Sequence, residues 1–367
     1  MNPREGAKGV GKRGEVPDIA SIASSDAIPG IAPFGGAAIN HGDARKAEAR
    51  SRPWDVRARP WSLLTLLVLL IPSVSLAQTV PGDALSQIKV LIAQKQLPSA
   101  EKVIVSEMMA KPRDPDLMTL LAEVRFHQRQ YREALMLVND ADRLGGMTAE
   151  RATLAGMIEI SMDLLERARA RFQKAIELDP SYVSSHYLLA RVLYTQNHFD
   201  EAIEESKKAI TLSPNLVRAY ENIGLCYEGK QQFEEAERWY LEAIQRMGKG
   251  DKKSEWPILD LASMLIRNNQ TERARPYLVQ ALEINPQNAQ AVFQMGVVLE
   301  KSGDLRAALQ ELKRAIELDP NLETAYYRSA KIHQKLGETA EAQKDFTMFK
   351  VLSKKKHSQS LLSTDTP

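Results

Sequence analysis

An alanine recurs along this chain at one fixed spacing, and that period constrains the fold more than any other feature. Successive alanines lie 34 residues apart, except for one step of 38 between Ala236 and Ala274. The series consists of Ala100, Ala134, Ala168, Ala202, Ala236, Ala274, Ala308 and Ala342. A second series lies twelve residues before these alanines, and its first member, Ile88, is the one that is not small. The other members are Ala122, Gly156, Ala190, Gly224, Ala262, Gly296 and Ala330. A period of this length is typical of stacked helical hairpins.

Within each unit the apolar residues follow a helical period rather than the alternation of a strand. In residues 183–215 one helical run precedes a polar turn at 197–200, and a second run follows it. Pro214 closes the unit, because proline cannot continue a helix. Small residues such as Ala190 and Ala202 are expected where the two helices approach closely. One hairpin cannot bury its own apolar face, so the sequence predicts an all-α stack of hairpins.

The unit at 217–254 shows the pattern most fully. Aromatic residues, glycine and alanine alternate there at characteristic places: Tyr220, Gly224, Tyr227, Ala236, Tyr240 and Ala243. This arrangement resembles the tetratricopeptide repeat family. The resemblance implies a right-handed superhelical solenoid of antiparallel helix hairpins, in eight units at 81–114, 115–148, 149–182, 183–216, 217–254, 255–288, 289–322 and 323–356.

The front of the chain has the pattern of an export signal preceded by an extension. Residues 1–55 are rich in Gly, Pro, Ala, Ser and Arg and lack a sustained apolar period, so they are predicted to be disordered or wrongly assigned to the protein. Residues 56–77 combine a basic flank, an apolar core and a small-residue end, which predicts a signal peptide cut after Ala77. Val56 fits a GTG start codon, so our hypothesis is that translation begins near it.

Two localisations follow from this front segment. The first is export to the periplasm or the outside of a bacterial cell. The alternative is a protein tethered to the membrane by residues 61–76, if that apolar run is not cleaved. The run is short for a bilayer span, which needs roughly 20 residues.

The rest of the chain divides simply. Residues 78–356 are predicted to form the solenoid, and residues 357–367 a disordered tail. Residues 248–254 form a polar, glycine-bearing loop that accounts for the longer step in the period. Phe349 stands where other units have a small residue, which suits a last unit that no further hairpin approaches. Phe346 and Phe349 are expected to fold back as a cap or to be covered by a second copy of the chain.

Composition gives no sign of a nucleic-acid partner. Lysine and arginine number 49 against 47 aspartates and glutamates, so no strong field selects an anionic polymer. Cys226 is the single cysteine, which excludes an intramolecular disulfide. Its apolar neighbours favour a buried and unreactive thiol.

The sequence carries no recognisable catalytic, metal or cofactor site. Residues 6–12 have the glycine spacing of a phosphate-binding loop, but Arg13 replaces the required Ser or Thr. The histidines show no metal-ligand spacing, and adjacent carboxylates such as Glu204 and Glu205 do not face each other on a helix. We therefore predict a protein that is not an enzyme and needs no cofactor.

The family resemblance implies that the first helices of successive units line a concave groove in which a protein or peptide binds. Transferred by position, the candidate groove residues are Tyr187, Arg191, Tyr194, Arg218, Glu221, Asn222, Glu228, Trp256, Phe293 and Tyr327. Tyr, Trp and Arg dominate binding energy at interfaces because they bury a large area with few lost rotamers. For Tyr187 and Tyr194, packing between hairpins is an equally good interpretation. Asn222, Asp260 and Gln294 occupy one polar place in three consecutive units, an arrangement that could bond a peptide backbone as a ladder.

We therefore predict a protein-binding scaffold that acts in assembly of the cell envelope. Two alternatives remain open. One is a structural protein that self-associates through Phe346 and Phe349 into a homo-oligomer. The other is an accessory subunit that binds a polysaccharide, with Trp256, Tyr187 and Tyr194 as stacking surfaces.

Overall fold

The computed structural model describes residues 84–247 and 254–364, with backbone only for 356–364. These parts of the chain form sixteen helices and no strand. The helices are α1 (Ala84–Ala93), α2 (Leu97–Ala110), α3 (Pro115–His127), α4 (Tyr131–Gly145), α5 (Ala149–Ser161), α6 (Leu165–Leu178), α7 (Val183–Thr195), α8 (Phe199–Leu212), α9 (Val217–Gly229), α10 (Phe233–Met247), α11 (Trp256–Arg267), α12 (Thr271–Ile284), α13 (Ala289–Lys301), α14 (Leu305–Leu318), α15 (Glu323–Lys335) and α16 (Thr339–Thr364). The predicted all-α solenoid of hairpins is confirmed.

The helices pair in order, so each odd-numbered helix is the first of a hairpin and each even-numbered helix the second. Each second helix also packs against the first helix of the next hairpin, which makes the stack continuous. The periodic alanines lie at these contacts, and all eight are buried, from Ala100 to Ala342. The predicted extension 1–55, the predicted signal 56–77 and most of the loop 248–254 lie outside the described residues.

The turn inside each hairpin has the same geometry in all eight described units. One residue in each turn has a positive φ, namely Lys95, Arg129, Asp163, Asn197, Gln231, Asn269, Gly303 and Gly337. The next backbone N–H donates to a carbonyl five residues earlier, as His198 does to Leu193 at 2.9 Å. This bond satisfies a carbonyl at the end of the first helix, which is the role of a Schellman motif. A turn this uniform keeps every hairpin in phase.

The small residue before each alanine faces a side chain of the second helix. A Cβ added to Gly156 would lie 2.6 Å from the Phe172 ring, and one added to Gly224 would lie 2.7 Å from the Tyr240 ring. Both rings are fully buried. The sequence suggested that small residues of the two helices approach each other. The structure shows that glycine at these places also leaves room for an aromatic ring of the second helix.

The last hairpin differs from the others in length. Helix α16 runs to Thr364, so the backbone is helical over most of the segment 357–367 that was predicted to be a disordered tail. No proline or glycine interrupts residues 339–364, which is consistent with a continued helix. That part of the domain prediction is corrected over residues 357–364.

Two aromatic rings cover the end of the stack. Phe346 and Phe349 lie 6.1 and 5.2 Å from the Tyr327 ring, centroid to centroid. Phe349 thus packs against a ring of its own hairpin, as expected for a cap formed by the chain itself. Among the described helices none is both long and apolar enough to span a bilayer.

Candidate functional site

The first helices form the inner row of the stack. First helices of neighbouring hairpins, such as α7 and α9, contact each other more closely than second helices do. Rows of helices come closest on the inside of a curve, so this row faces the concave side. It carries the residues that the family resemblance placed in a groove.

Helix α7 brings two of the predicted groove residues together. The Arg191 guanidinium lies 6.0 Å from the centre of the Tyr187 ring, a distance suited to a cation–π contact. Both side chains are buried, with 4% and 1% of their surface exposed. Tyr194 is half-buried one turn further on, and its ring lies 5.9 Å from Phe199 of the same hairpin. Tyr187 therefore offers no open ring face as a stacking surface.

Helix α9 supplies a buried amide and a buried carboxylate side by side. Asn222 Nδ2 donates to Ser206 Oγ of α8 at 2.9 Å, and both residues are fully buried. Glu221 is 3% exposed, and burial raises the pKa of its carboxyl against the opposing effects of Asp260, Arg218 and Arg191. The bond to Ser206 holds the Asn222 amide with its NH2 group turned towards α8.

A charged cluster lies where α7, α9, α10 and α11 meet. Tyr240 donates from its hydroxyl to Glu228 Oε2 at 2.9 Å, and Arg267 forms an ion pair with Glu228 Oε1. Burial, followed by the negative charge of Glu228, raises the pKa of Tyr194 to about 12. We call Tyr194, Glu221, Glu228, Asp260 and Arg267 the central cluster.

Asp260 is the most deeply placed acid of this cluster. It is 2% exposed on α11, near the Glu221 carboxyl of α9 in the preceding hairpin. Burial and the adjacent Glu221 raise the pKa of Asp260 well above its ordinary value. Neighbouring carboxylates repel when both are ionised, so each disfavours the charged form of the other.

Several buried oxygens along this row lack a hydrogen-bond partner among the described residues. They are Ser184 Oγ, Tyr187 Oη, Glu221 Oε1, Asn222 Oδ1, Asp260 Oδ2 and Gln294 Oε1. Gln294 has the arrangement of Asn222, because its Nε2 donates to Ser263 Oγ while its oxygen remains unpartnered. We call Asn222, Asp260 and Gln294 the acceptor row. Buried polar atoms normally have partners, so such a concentration requires an explanation.

Three predicted groove residues lie away from the central cluster. Trp256 opens α11, half-buried against the core of the sixth hairpin. Phe293 on α13 is half-buried with the Arg328 guanidinium 6.0 Å from its ring. Tyr327 is 44% exposed and belongs to the aromatic cap.

Sequence reasoning missed how these residues depend on the second helices. Tyr240 was identified only as an aromatic place of its repeat, yet its hydroxyl donates a hydrogen bond to Glu228. Ser206 was not singled out, although it orients Asn222. Neither has a sequence signal of its own, because each partnership joins residues 12 or 16 positions apart on different helices.

The described residues contain no grouping of His, Cys, Asp and Glu suited to a metal ion. Cys226 is fully buried, and burial raises the pKa of its thiol to about 12. A thiol in that state is a poor nucleophile.

Comparison with protein families agrees with the hairpin geometry. Models described as tetratricopeptide repeat match residues 155–217, 217–246, 265–331 and 323–347. This chain is a tetratricopeptide repeat protein. Members of the family generally act as scaffolds for protein interactions.

Individual relatives are distant and mostly longer than the region they share with this tetratricopeptide repeat protein. It is 26% identical over 208 residues to anaphase-promoting complex subunit 3 of Schizosaccharomyces pombe, covering 57% of this chain and 31% of that protein. It is 28% identical over 145 residues to the type IV pilus assembly protein PilF of Pseudomonas aeruginosa, covering 40% and 57%.

One solved structure shares the overall fold. The APC/C hetero-tetramer Cut9–Hcn1 superposes with a TM-score of 0.55 at 15% identity. The match covers 77% of this chain and 55% of that one. At this identity the similarity concerns the fold alone.

Proposed function

We propose that this protein is a non-catalytic scaffold that binds an extended segment of another protein along its concave row of first helices. The acceptor row is the observation that supports the proposal. Its three side chains lie on α9, α11 and α13, at the same place in consecutive hairpins.

The orientation of the amides suits a peptide backbone. Asn222 and Gln294 each use the NH2 group on a serine of the protein, which leaves the buried amide oxygen without a partner among the described residues. An extended peptide presents backbone N–H groups that such oxygens can accept, and the pairing needs no particular peptide sequence. A rigid stack of hairpins would bind with little ordering cost to itself.

A selection with random 12-residue peptides tests the proposal. Wild-type protein is compared with Gln294→Met, which keeps the side-chain size and removes the amide. Gln310→Met is the matched control, because Gln310 is exposed on the second helix α14. Loss of one or two hydrogen bonds at about 1 kcal/mol each predicts about a tenfold weaker binding of the selected peptides by Gln294→Met.

The control variant is expected to bind like wild type. Selection of no peptide above background, or equal binding by all three proteins, would overturn groove binding. Circular dichroism of each variant shows whether its helices are intact.

We also propose that the scaffold works in the cell envelope, where it assists an assembly process. Support comes from the export pattern of residues 56–77 and from the similarity to a pilus assembly protein. Mass spectrometry of labelled amino termini from the native cell tests this. A terminus at Gln78 supports export, whereas a terminus at Met1 with the apolar run retained contradicts cleavage and favours the tethered alternative.

A further inference from the structure

The sequence of the last helix, α16, is charged with one sign over most of its length. Residues 346–364 contain no aspartate or glutamate, whereas four lysines fall within residues 350–356. The whole chain is nearly balanced, with 49 basic residues against 47 acidic ones. A local excess of one sign attracts a partner of the opposite sign and repels a surface of the same sign.

Helical geometry places part of this charge around two apolar side chains. Lys344, Met348, Val351 and Lys355 are spaced by four, three and four residues, so they lie along one face of α16. All four are exposed, Met348 to 37% and Val351 to 55%. Lys350 is also exposed and lies next to Val351 along the chain. We call these five residues the basic face.

The two apolar residues of the basic face stand where the inner hairpins have polar ones. The corresponding pairs in the second helices from α4 to α14 are Asp140 and Arg143, Lys174 and Glu177, Lys208 and Thr211, Glu242 and Gln245, Gln280 and Glu283, and Arg314 and Glu317. Water solvates such polar pairs at the surface. An exposed methionine and valine at the same place favour contact with an apolar layer instead.

A second copy of the chain fits the basic face poorly. Two copies related by a twofold axis bring the same residues together, so pairing through Met348 and Val351 would bring lysines of both copies together. Lys344, Lys350 and Lys355 have no ion-pair partner among the described residues that would offset their repulsion. An anionic partner gains from the same charges.

We infer that the basic face of α16 docks on a membrane surface that contains anionic lipid. Such a surface offers phosphate headgroups to the lysines and the edge of the acyl layer to Met348 and Val351. Lysine stems can lie along apolar surface while the ammonium groups remain among the headgroups. Double-stranded nucleic acid presents phosphates without an apolar layer beneath them, so it would match only the charged half of this face.

Docking through α16 leaves the concave row open. That row consists of first helices, whereas α16 is the second helix of the last hairpin. Phe346 and Phe349 hold α16 against Tyr327 of α15, at ring-centroid distances of 6.1 and 5.2 Å. The inference therefore goes beyond the proposed function, and it does not depend on whether the row binds a peptide.

A dye on the basic face of the full chain tests the inference. Thr347 is exposed beside Met348, so Thr347→Cys accepts an environment-sensitive dye there. The native thiol of Cys226 is fully buried and stays unlabelled. Vesicles of phosphatidylcholine with one third phosphatidylglycerol are expected to shift the dye emission to shorter wavelength. Vesicles of phosphatidylcholine alone are expected to leave the emission unchanged.

Two triple variants separate the basic face from net charge. Lys344→Gln combined with Lys350→Gln and Lys355→Gln should weaken binding to the anionic vesicles at least about tenfold, because each lysine near an anionic surface contributes to binding. The matched control removes three exposed lysines from other second helices, and it should bind like the labelled parent; its changes are Lys102→Gln, Lys207→Gln and Lys313→Gln.

A double variant tests the apolar contribution. Met348→Gln combined with Val351→Thr should weaken binding about threefold, because less apolar surface enters the lipid. Raising the salt concentration should weaken binding by the parent and by this variant alike, since both keep the lysines.

Four outcomes would overturn the inference. One is the absence of a dye shift on anionic vesicles, and another is equal binding by the two triple variants. A dye shift that follows protein concentration without vesicles would show that a second copy covers the face. Equal binding to a soluble polyanion, with no effect of Met348→Gln and Val351→Thr on either ligand, would show a partner that is recognised by charge alone.

Discussion

Single residues set how closely the two helices of each hairpin approach. Where the second helix carries a large ring, as at Phe172 and Tyr240, the facing residue of the first helix is glycine. Where the second helix carries Ser206, the corresponding first-helix residue is Ala190, and both are fully buried. In these three hairpins the two sizes are complementary, which explains why the first-helix place is glycine in two of them and alanine in the third.

Gly156→Ala is expected to destabilise the protein by about 1–3 kcal/mol, because the added methyl group would overlap the buried Phe172 ring. Urea unfolding followed by circular dichroism measures the change. Gly296→Ala is the control, since its new methyl group would lie 3.1 Å from the Leu312 side chain, which has more freedom to shift than a ring. Combining Gly156→Ala with Phe172→Leu should recover part of the loss. A larger loss in Gly296→Ala than in Gly156→Ala would refute the size argument.

His186 is a residue whose charge the structure fixes. Nδ1 lies 2.7 Å from Glu205 Oε2 and Nε2 lies 3.0 Å from the Pro180 carbonyl oxygen. Both ring nitrogens face acceptors, so both must donate, and only the protonated imidazole can do so. The hydrogen bond to Glu205 is the main cause that raises the pKa of His186, against the opposing effect of burial.

The stabilisation by His186 should therefore decrease as pH rises. A folded-state pKa above the unfolded value means that the contribution is complete below about pH 6.5 and is lost as pH rises through the folded-state pKa. The difference in unfolding free energy between wild type and His186→Gln should be larger at pH 5.5 than at pH 8.5. Urea titrations at both values measure it, and an equal or reversed difference would contradict the charged state.

At the scale of elements, the turn inside each hairpin decides where the first helix stops. Each turn needs one residue with a positive φ, and only Gly303 and Gly337 supply it with glycine. The other six turns place a side chain in the left-handed region, which costs about 1–2 kcal/mol for most residues. The repeats thus tolerate a small strain in return for a uniform turn.

Removing a glycine from one turn and introducing a glycine into another, at the residue with positive φ, tests whether backbone strain is present there. Gly303→Ala should lower stability by about 1 kcal/mol through backbone strain alone, because no atom lies within 4 Å of the added methyl group. Gln231→Gly should raise stability or leave it unchanged, since relief of strain at φ 61° opposes the greater entropy of the unfolded chain. Thermal unfolding measures both, and a stabilised Gly303→Ala would exclude strain as the cause.

At the scale of the whole molecule, each hairpin contacts its neighbours and little else. Stability in such a stack is approximately a sum over hairpins and the interfaces between them. The ends are consequently the weakest parts, and the aromatic cap of Tyr327, Phe346 and Phe349 covers one of them.

A charge buried in one hairpin should destabilise mainly that hairpin and its neighbours, so its effect should depend on where in the stack it is placed. Ala342→Asp lies in the last hairpin, so the loss of hydrogen-exchange protection should be confined to α15 and α16. Ala202→Asp lies in the fourth hairpin, and protection should be lost there and in the hairpins on both sides. Mass spectrometry of exchanged peptides measures both patterns. Global loss of protection in Ala342→Asp would show that the stack unfolds as one unit instead.

The sequence by itself determined the number, phase and boundaries of the hairpins. Its period alone predicted α7 and α8 on either side of a turn at 197–200, as the structure has them. A repeat period fixes local geometry because residues in one hairpin are close along the chain. The family resemblance assigned Tyr187, Arg191 and Glu221 to first helices, and in the structure they lie on α7 and α9.

Only the tertiary structure decided what those side chains do. It brings Glu221 and Asp260 together from positions 39 residues apart, and it leaves one oxygen of each without a partner among the described residues. It also gives Ser206 and Tyr240 their roles in orienting Asn222 and Glu228. Such contacts depend on the rotation of one hairpin against the next, because a shift of about one ångström decides whether two polar atoms bond. A repeat period cannot specify that rotation, whereas the packing of buried side chains can.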